Sequence, residues 1–309
     1  MRRWLKISLI TLMLAGSAVL CIVRWQAWFG MPPEPKWTGD TIQYVFPRPT
    51  SNSASGLTSN SPEDDLTILV LGDIHSHLTR AEYDTLAARV PQAQVVVQTG
   101  DWMERGQEYY RQLLLREWTH SALYGLPVIS CPGNHDYSKG IHKTLSPVWQ
   151  ETFGEDPNYY VDFPQMRLIV MDTNPLTHLL ALTRELTWLR ETMYSAGDKY
   201  IVVLMHHPVL SPAKGRFNPL IYAMFRHALG EADLVLAGHD HSYMRRTPFV
   251  VLNTSGNPKP QRTRFATDAL DTVPVYGVIH LQSSISNLQF TVHRLDDGTV
   301  IDSLYVKHD

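Results

Sequence analysis

Five times along this chain a run of Val, Ile and Leu stops at a short polar motif. In order, the motifs are Asp73-x-His75, Gly100-Asp101, Gly133-Asn134-His135-Asp136, His206-His207-Pro208 and Gly238-His239-Asp240-His241. A compact apolar run bounded by turn residues reads as a buried strand. In open α/β sheets, ligands gather beyond the carboxyl ends of the strands. Polar residues that follow strands can therefore meet from distant parts of the sequence, and the fold has to be one whose strand ends converge.

The rest of the pattern agrees. Strand candidates fall at 66–71, 95–97, 128–130, 168–171, 200–205 and 234–236, and helical periodicity at 79–90, 109–123, 183–194 and 218–229. Such alternation predicts βαβ units. Three further strand candidates at 275–282, 288–295 and 300–307 have no helices between them. The prediction is a layered α/β domain over 65–309, finished by an antiparallel portion and without internal repeats.

Ahead of it, residues 31–64 are dense in Pro, Ser, Thr and Asn and read as a flexible linker. The N-terminus carries Arg2, Arg3 and Lys6 before an apolar run from 7 to 23, then Trp25, Trp28 and Phe29. A span needs about 20 apolar residues, whereas a signal-peptide core is roughly 7–15 long. The aromatic cluster and the lack of a clean small-x-small cleavage site favour an N-terminal membrane-anchor helix within 1–30. The basic flank places the domain outside the cytoplasm as a single-pass protein. The alternative is a secreted or periplasmic protein after signal cleavage.

Charge narrows the partners. A formal charge of -3 provides no basic field for nucleic acid, and no basic run with interleaved aromatics marks a nucleic-acid track. Only Cys21 and Cys131 are present, which excludes a disulfide framework and a thiolate metal cluster.

What remains is a donor set of carboxylate, imidazole and amide, suited to zinc, iron or manganese. Asp73 and His75 are two apart, as are His239 and His241, so each pair shares a face if the strand stays extended through it. By the same rule His207 faces the opposite side of the strand, where it supports the ligands from behind, and Asp240 turns outward. A lone histidine of this kind is usually an ordinary surface or core residue. Five motifs in order at strand ends would need five coincidences.

Taken together, the motifs resemble the signature of the calcineurin-like metallophosphoesterases: Asp-x-His, Gly-Asp, Gly-Asn-His with a following acid, a His after a strand, and Gly-His-x-His. The resemblance covers 65–309. It implies a layered metallophosphoesterase fold of mixed β-sheets flanked by helices, and hydrolysis of phosphate mono- or diesters through a dinuclear metal site and metal-bound hydroxide. Residue by residue, it implies that Asp73, His75 and His241 hold one ion, that Asn134, His206 and His239 hold the other, and that Asp101 bridges both. The ions are divalent or trivalent Mn, Fe or Zn. His135 takes the place of a histidine that contacts phosphate and protonates the leaving oxygen.

Within Gly100-Asp101-Trp102-Met103-Glu104-Arg105-Gly106, the phosphoprotein-phosphatase version of the motif implies that Glu104 orients the catalytic histidine and that Arg105 grips phosphate, although Glu stands where that version has Asp. The resemblance has limits. His75 and Glu104 stand where purple acid phosphatases have Gly and a ligand Tyr, and Pro132 stands where the Ser/Thr protein phosphatases have Arg. Tyr243, Arg245 and Arg246 are either substrate contacts or loop surface. The competing reading is a non-catalytic metal-binding scaffold on the same fold, which the complete donor set speaks against.

Overall fold

The computed structural model describes residues 38–47, 65–138, 144–154, 156–174, 179–211, 219–254, 257, 267–282 and 287–307. The chain divides into two compact units, Met1–Gly39 and Asp40–Asp309. The anchor expected over 1–30 lies outside the described residues, as do 31–37 and 48–64 of the expected linker. Among the described residues no helix is long and apolar enough to cross a membrane.

The second unit is built on two mixed sheets. The first has the order β13-β12-β11-β1-β2-β3, where β1 (Leu66–Leu71), β2 (Val95–Gln98) and β3 (Val128–Ser130) run parallel and β11 (Val275–Gln282), β12 (Asn287–Arg294) and β13 (Val300–Lys307) add the antiparallel portion. The second has the order β10-β8-β9-β7-β6-β5-β4. In it β5 (Met166–Met171), β6 (Tyr200–Met205), β7 (Leu234–Ala237) and β9 (Phe249–Val251) run parallel, while β4 (Tyr159–Asp162), β8 (Tyr243–Arg246) and β10 (Ala269–Asp271) are antiparallel to their neighbours.

Alternation within the strands explains the layering. In β1, Ile68 and Val70 enter a core shared with Leu168, Val202 and Leu236 of the second sheet, so this cluster lies between the sheets. Leu69 and Leu71 face the other way, against Tyr83 and Leu86 of α1 (Arg80–Arg89), Leu115 and Trp118 of α2 (Glu108–Trp118) and Phe153 of α3 (Pro147–Phe153). On the second sheet Ile169, Val203 and Val235 pack with Leu189 of α4 (Leu179–Tyr194) and Phe225 of α5 (Pro219–Ala228). Strands covered on both faces read as unbroken apolar runs, which is why they stood out in the sequence.

Part of the expected linker belongs to this unit. Phe46 is 2% exposed and its ring stacks on Trp102 at 4.9 Å and on Phe153 at 5.1 Å. The backbone N–H of Phe46 donates to Thr152, that of Val128 donates to Pro47, and Gln112 exchanges two hydrogen bonds with the backbone of Ile42. Residues 42–47 are therefore a strap on the helical face of the first sheet, because an aromatic side chain outweighs the polar composition around it.

Candidate metal centre

The carboxyl ends of β1, β2 and β3 in one sheet and of β6 and β7 in the other open toward the same place. Among the described residues, His75, Ser76, Asp101, His239 and His241 are the non-glycine residues with positive φ, between 50° and 72°. Left-handed backbone costs a non-glycine residue of order 1–3 kcal/mol and persists only where the surroundings impose it. Here they do. The N–H groups of Ile74 and His75 both donate to the carbonyl of Asp101, and Ser76 donates to Trp102, so the first motif is docked on the second. The extended-strand argument for Asp73/His75 and His239/His241 thus fails: β1 has already ended at Leu71, and sharp turns bring the side chains together.

Around the centre the donors converge. Both carboxylate oxygens of Asp73 accept from the backbone N–H of His239, at 3.0 and 2.8 Å. The Nε2 atoms of His75 and His241 lie 3.1 Å apart. His241 turns its Nδ1 to the carbonyl of Asn257 at 2.9 Å. His206 likewise donates from Nδ1 to Thr99, at 2.9 Å, and sets Nε2 at 3.2 Å from Asp101 Oδ2 and 3.3 Å from Asn134 Oδ1. A carbonyl can only accept, so Nδ1 carries the proton in both rings and Nε2 is the ring atom turned to the centre.

Electrostatics follow burial and pairing. Burial holds the pKa of His75 down to about 3, with His135, His241 and His206 adding to the effect and Asp101 opposing it. Burial also disfavours charge on His206, yet Asp101 and then Asp73 lift it to about 9. Asp101 is the other half of that pair: burial would raise its carboxyl, and His206 overrides this and holds it well below the usual carboxylate range. Asp73, His75 and His241 form one group whose ligand atoms lie within 4.8 Å of one another; Asp73, Asp101 and His206 form a second, and His206, His207 and His239 a third. Nitrogen and oxygen donors at this spacing suit borderline cations such as zinc, manganese or iron.

A family model, calcineurin-like phosphoesterase, matches residues 66–243. The chain belongs to that family. A curated relative, the glycerophosphodiester phosphodiesterase GpdQ of Enterobacter lignolyticus, is 28% identical over 127 residues, which is 38% of this chain and 45% of the relative. The match thus spans less than half of that relative's length. Among solved structures, GAP50, titled the anchor in the inner membrane complex of Plasmodium, superposes with a TM-score of 0.60 at 13% identity, covering 79% of this chain and 89% of that one. At that identity the likeness shows the fold.

Within this phosphoesterase, the other expected residues fall as follows. His135 is a third exposed and lies at the mouth of the centre; its backbone N–H donates to Asp101 Oδ1 at 2.8 Å and its Nδ1 to the carbonyl of Glu104 at 2.6 Å. The Glu104 carboxylate lies beside two histidine rings. It stands 3.8 Å from Nδ1 of His135 but 3.2 Å from Nδ1 of His75. Arg105 is half-buried, and among the described residues its side chain makes no hydrogen bond or ion pair.

Asp136 is fully buried and accepts from the N–H groups of Asp101 and Gly133, with burial and the charge of Asp101 pushing its carboxyl well above the usual range. Asp240 does not turn outward, being 3% exposed, and His207 is buried with its ring 4.7 Å from that of His239. Tyr243, Arg245 and Arg246 lie on β8, and the first two join Asp302 of β13.

Sequence reasoning missed a sixth group. Asp172, Thr173 and Asn174 follow β5 just as the five motifs follow their strands. Thr173 bonds Nδ1 of His207 at 2.7 Å, and the amide of Asn174 donates to Pro132 and Gly133 at 3.2 and 3.3 Å. Tyr137 donates to the buried carboxyl of Asp172. The signal was present, a polar triplet after an apolar run, but none of its members is a metal-type pair.

Proposed function

We propose that this phosphoesterase hydrolyses phosphate mono- or diesters at a dinuclear metal centre. Asp73, His75 and His241 would hold one ion, Asn134, His206 and His239 the other, with Asp101 between them. The observation that carries the reading is the convergence of ring nitrogens and carboxylates, with His75, Asp101, His239 and His241 on turns held at positive φ. When bound, two such cations supply Lewis acidity to water and phosphate. The chain contributes only Asp73 and Asp101 as charged ligands in this set, so a pair of dications leaves the centre net positive and attractive to a phosphate ester.

His135 is assigned to move a proton. Its Nδ1–H is committed to the Glu104 carbonyl, so the second proton is taken up and released at Nε2. Such a group donates to a leaving oxygen at the open side of the site. Arg105, next in the same loop, is assigned to grip the substrate's phosphate. The name of the curated relative supports the diester arm. The apolar run over 7–23 with its basic flank supports holding the domain at the outer face of a membrane. Protease shaving of intact cells that left the domain untouched would sink that placement.

The deciding experiment uses the full chain, metal-stripped and reloaded with manganese, zinc or iron, on bis-p-nitrophenyl phosphate and p-nitrophenyl phosphate. Turnover should depend on metal, fall about 10²–10⁴-fold in His135→Ala and be nearly lost in Asp101→Asn. Two tightly bound ions without turnover would favour a scaffold instead, and full activity in Asp101→Asn would refute the mechanism.

A further inference from the structure

Of the histidine rings that face or flank the centre, three have Nδ1 fixed by a main-chain carbonyl: His206 by Thr99, His241 by Asn257 and His135 by Glu104. His75 differs from these three. It is 3% exposed, and among the described residues its Nδ1 has no aligned hydrogen-bond acceptor. What faces that atom is a carboxylate oxygen, Glu104 Oε2, at 3.2 Å. The loop carrying it is fixed from both sides: Ser76 donates to the carbonyl of Trp102, and Gly106 donates to that of His135.

We propose that Glu104 is the positioning residue for His75, its carboxylate holding the ring so that Nε2 is presented to a cation shared with Asp73 and His241. This rests on the dinuclear reading above. An imidazole that donates from Nδ1 to a carboxylate is fixed in tautomer and orientation and is a more basic ligand at Nε2. The two acceptors of Glu104 thus serve two rings: its main-chain oxygen orients His135, and its side chain orients His75. The length of Glu matters, because an Asp in the same backbone position ends one methylene short of His75. The 3.2 Å contact is off the hydrogen-bond line as it stands, and polar contacts in such sites are often poorly aligned until the ligand binds.

The test is a cobalt(II) titration of the metal-stripped full chain, followed by visible absorption and calorimetry, with His75→Ala to identify the step that belongs to the Asp73/His75/His241 group. Wild type should show two uptake steps. Glu104→Gln should weaken the His75 step about 10–100-fold and leave the other within twofold. Glu104→Asp should behave as Glu104→Gln, since the shorter acid falls short. The proposal is overturned if both variants titrate as wild type, or if Glu104→Asp keeps wild-type affinity while Glu104→Gln loses only turnover, which would place the carboxylate in service of His135. A wild type that binds no cobalt overturns the dinuclear reading, and the assignment of Glu104 falls with it. Normal uptake by wild type with unaltered variants overturns the assignment alone.

Discussion

At the scale of single residues, the centre is crowded enough that one added carbon decides whether it forms. A Cβ on Gly133 would lie 2.0 Å from Asp101 Oδ1 and 2.4 Å from its backbone nitrogen, distances no real atoms show. Gly133→Ala must therefore displace the carboxylate assigned to both ions. Overpacking of this kind costs about 1–3 kcal/mol, and a displacement near 1 Å costs about 10²-fold in rate. Thermal melts together with phosphodiester turnover should register both losses, and wild-type turnover in Gly133→Ala would mean that Asp101 does not have to sit where it does. The identities of the ligand-type residues were legible in the sequence because donor chemistry is a property of residue type. Their geometry was not. Spacing of two implied a shared face on an extended strand, whereas His75, His239 and His241 meet through left-handed turns imposed by contacts with distant loops.

Among the elements, the longer strands with a continuous or alternating apolar pattern were legible, and the short ones near the end of the second sheet were not. β1, β2, β6 and β7 are continuous apolar runs; β8 reads Tyr-Met-Arg-Arg, and β10 has three residues that are all at least partly exposed, so neither carries a period to detect. The strap is a similar case, since one buried ring lies inside a polar stretch. Phe46 contacts Trp102, Trp118 and Phe153, and Trp102 directly follows Asp101. Phe46→Ala removes the ring from this aromatic cluster and should cost about 3 kcal/mol. That is roughly 6–12 °C in melting midpoint for a domain of this size. Calorimetry decides it: a midpoint within a degree or so of wild type would show that residues 42–47 rest on the domain without holding it.

For the molecule as a whole, the centre exists only because two sheets keep a fixed separation. Each proposed ion draws ligands from both: Asp73 and His75 follow β1, and His241 follows β7; Asn134 follows β3, and His206 and His239 follow β6 and β7. Strand order across two sheets was not legible, because alternation of strands and helices does not say which strands pair. One polar clamp between the sheets is testable by pH. Arg245 of β8 grips Asp302 of β13 through Nε at 2.7 Å and Nη2 at 3.1 Å, and the Tyr243 hydroxyl donates to the same carboxylate at 2.5 Å. Burial works to raise the pKa of Asp302, and the hydrogen bonds from Arg245 and Tyr243 outweigh it, so the folded value is depressed. A depressed carboxyl contributes stability that is complete above its unfolded pKa, about 3.9, and is lost as pH falls through the folded value. Asp302→Asn should therefore be less stable by about 1–3 kcal/mol near neutrality, with a gap in urea midpoint that stays constant from pH 8 to 5 and closes as the pH drops below about 4. Groups common to both proteins, the metal-type residues included, cancel in that difference. A gap that persists unchanged to pH 3 would assign the clamp to packing rather than to the charge on Asp302.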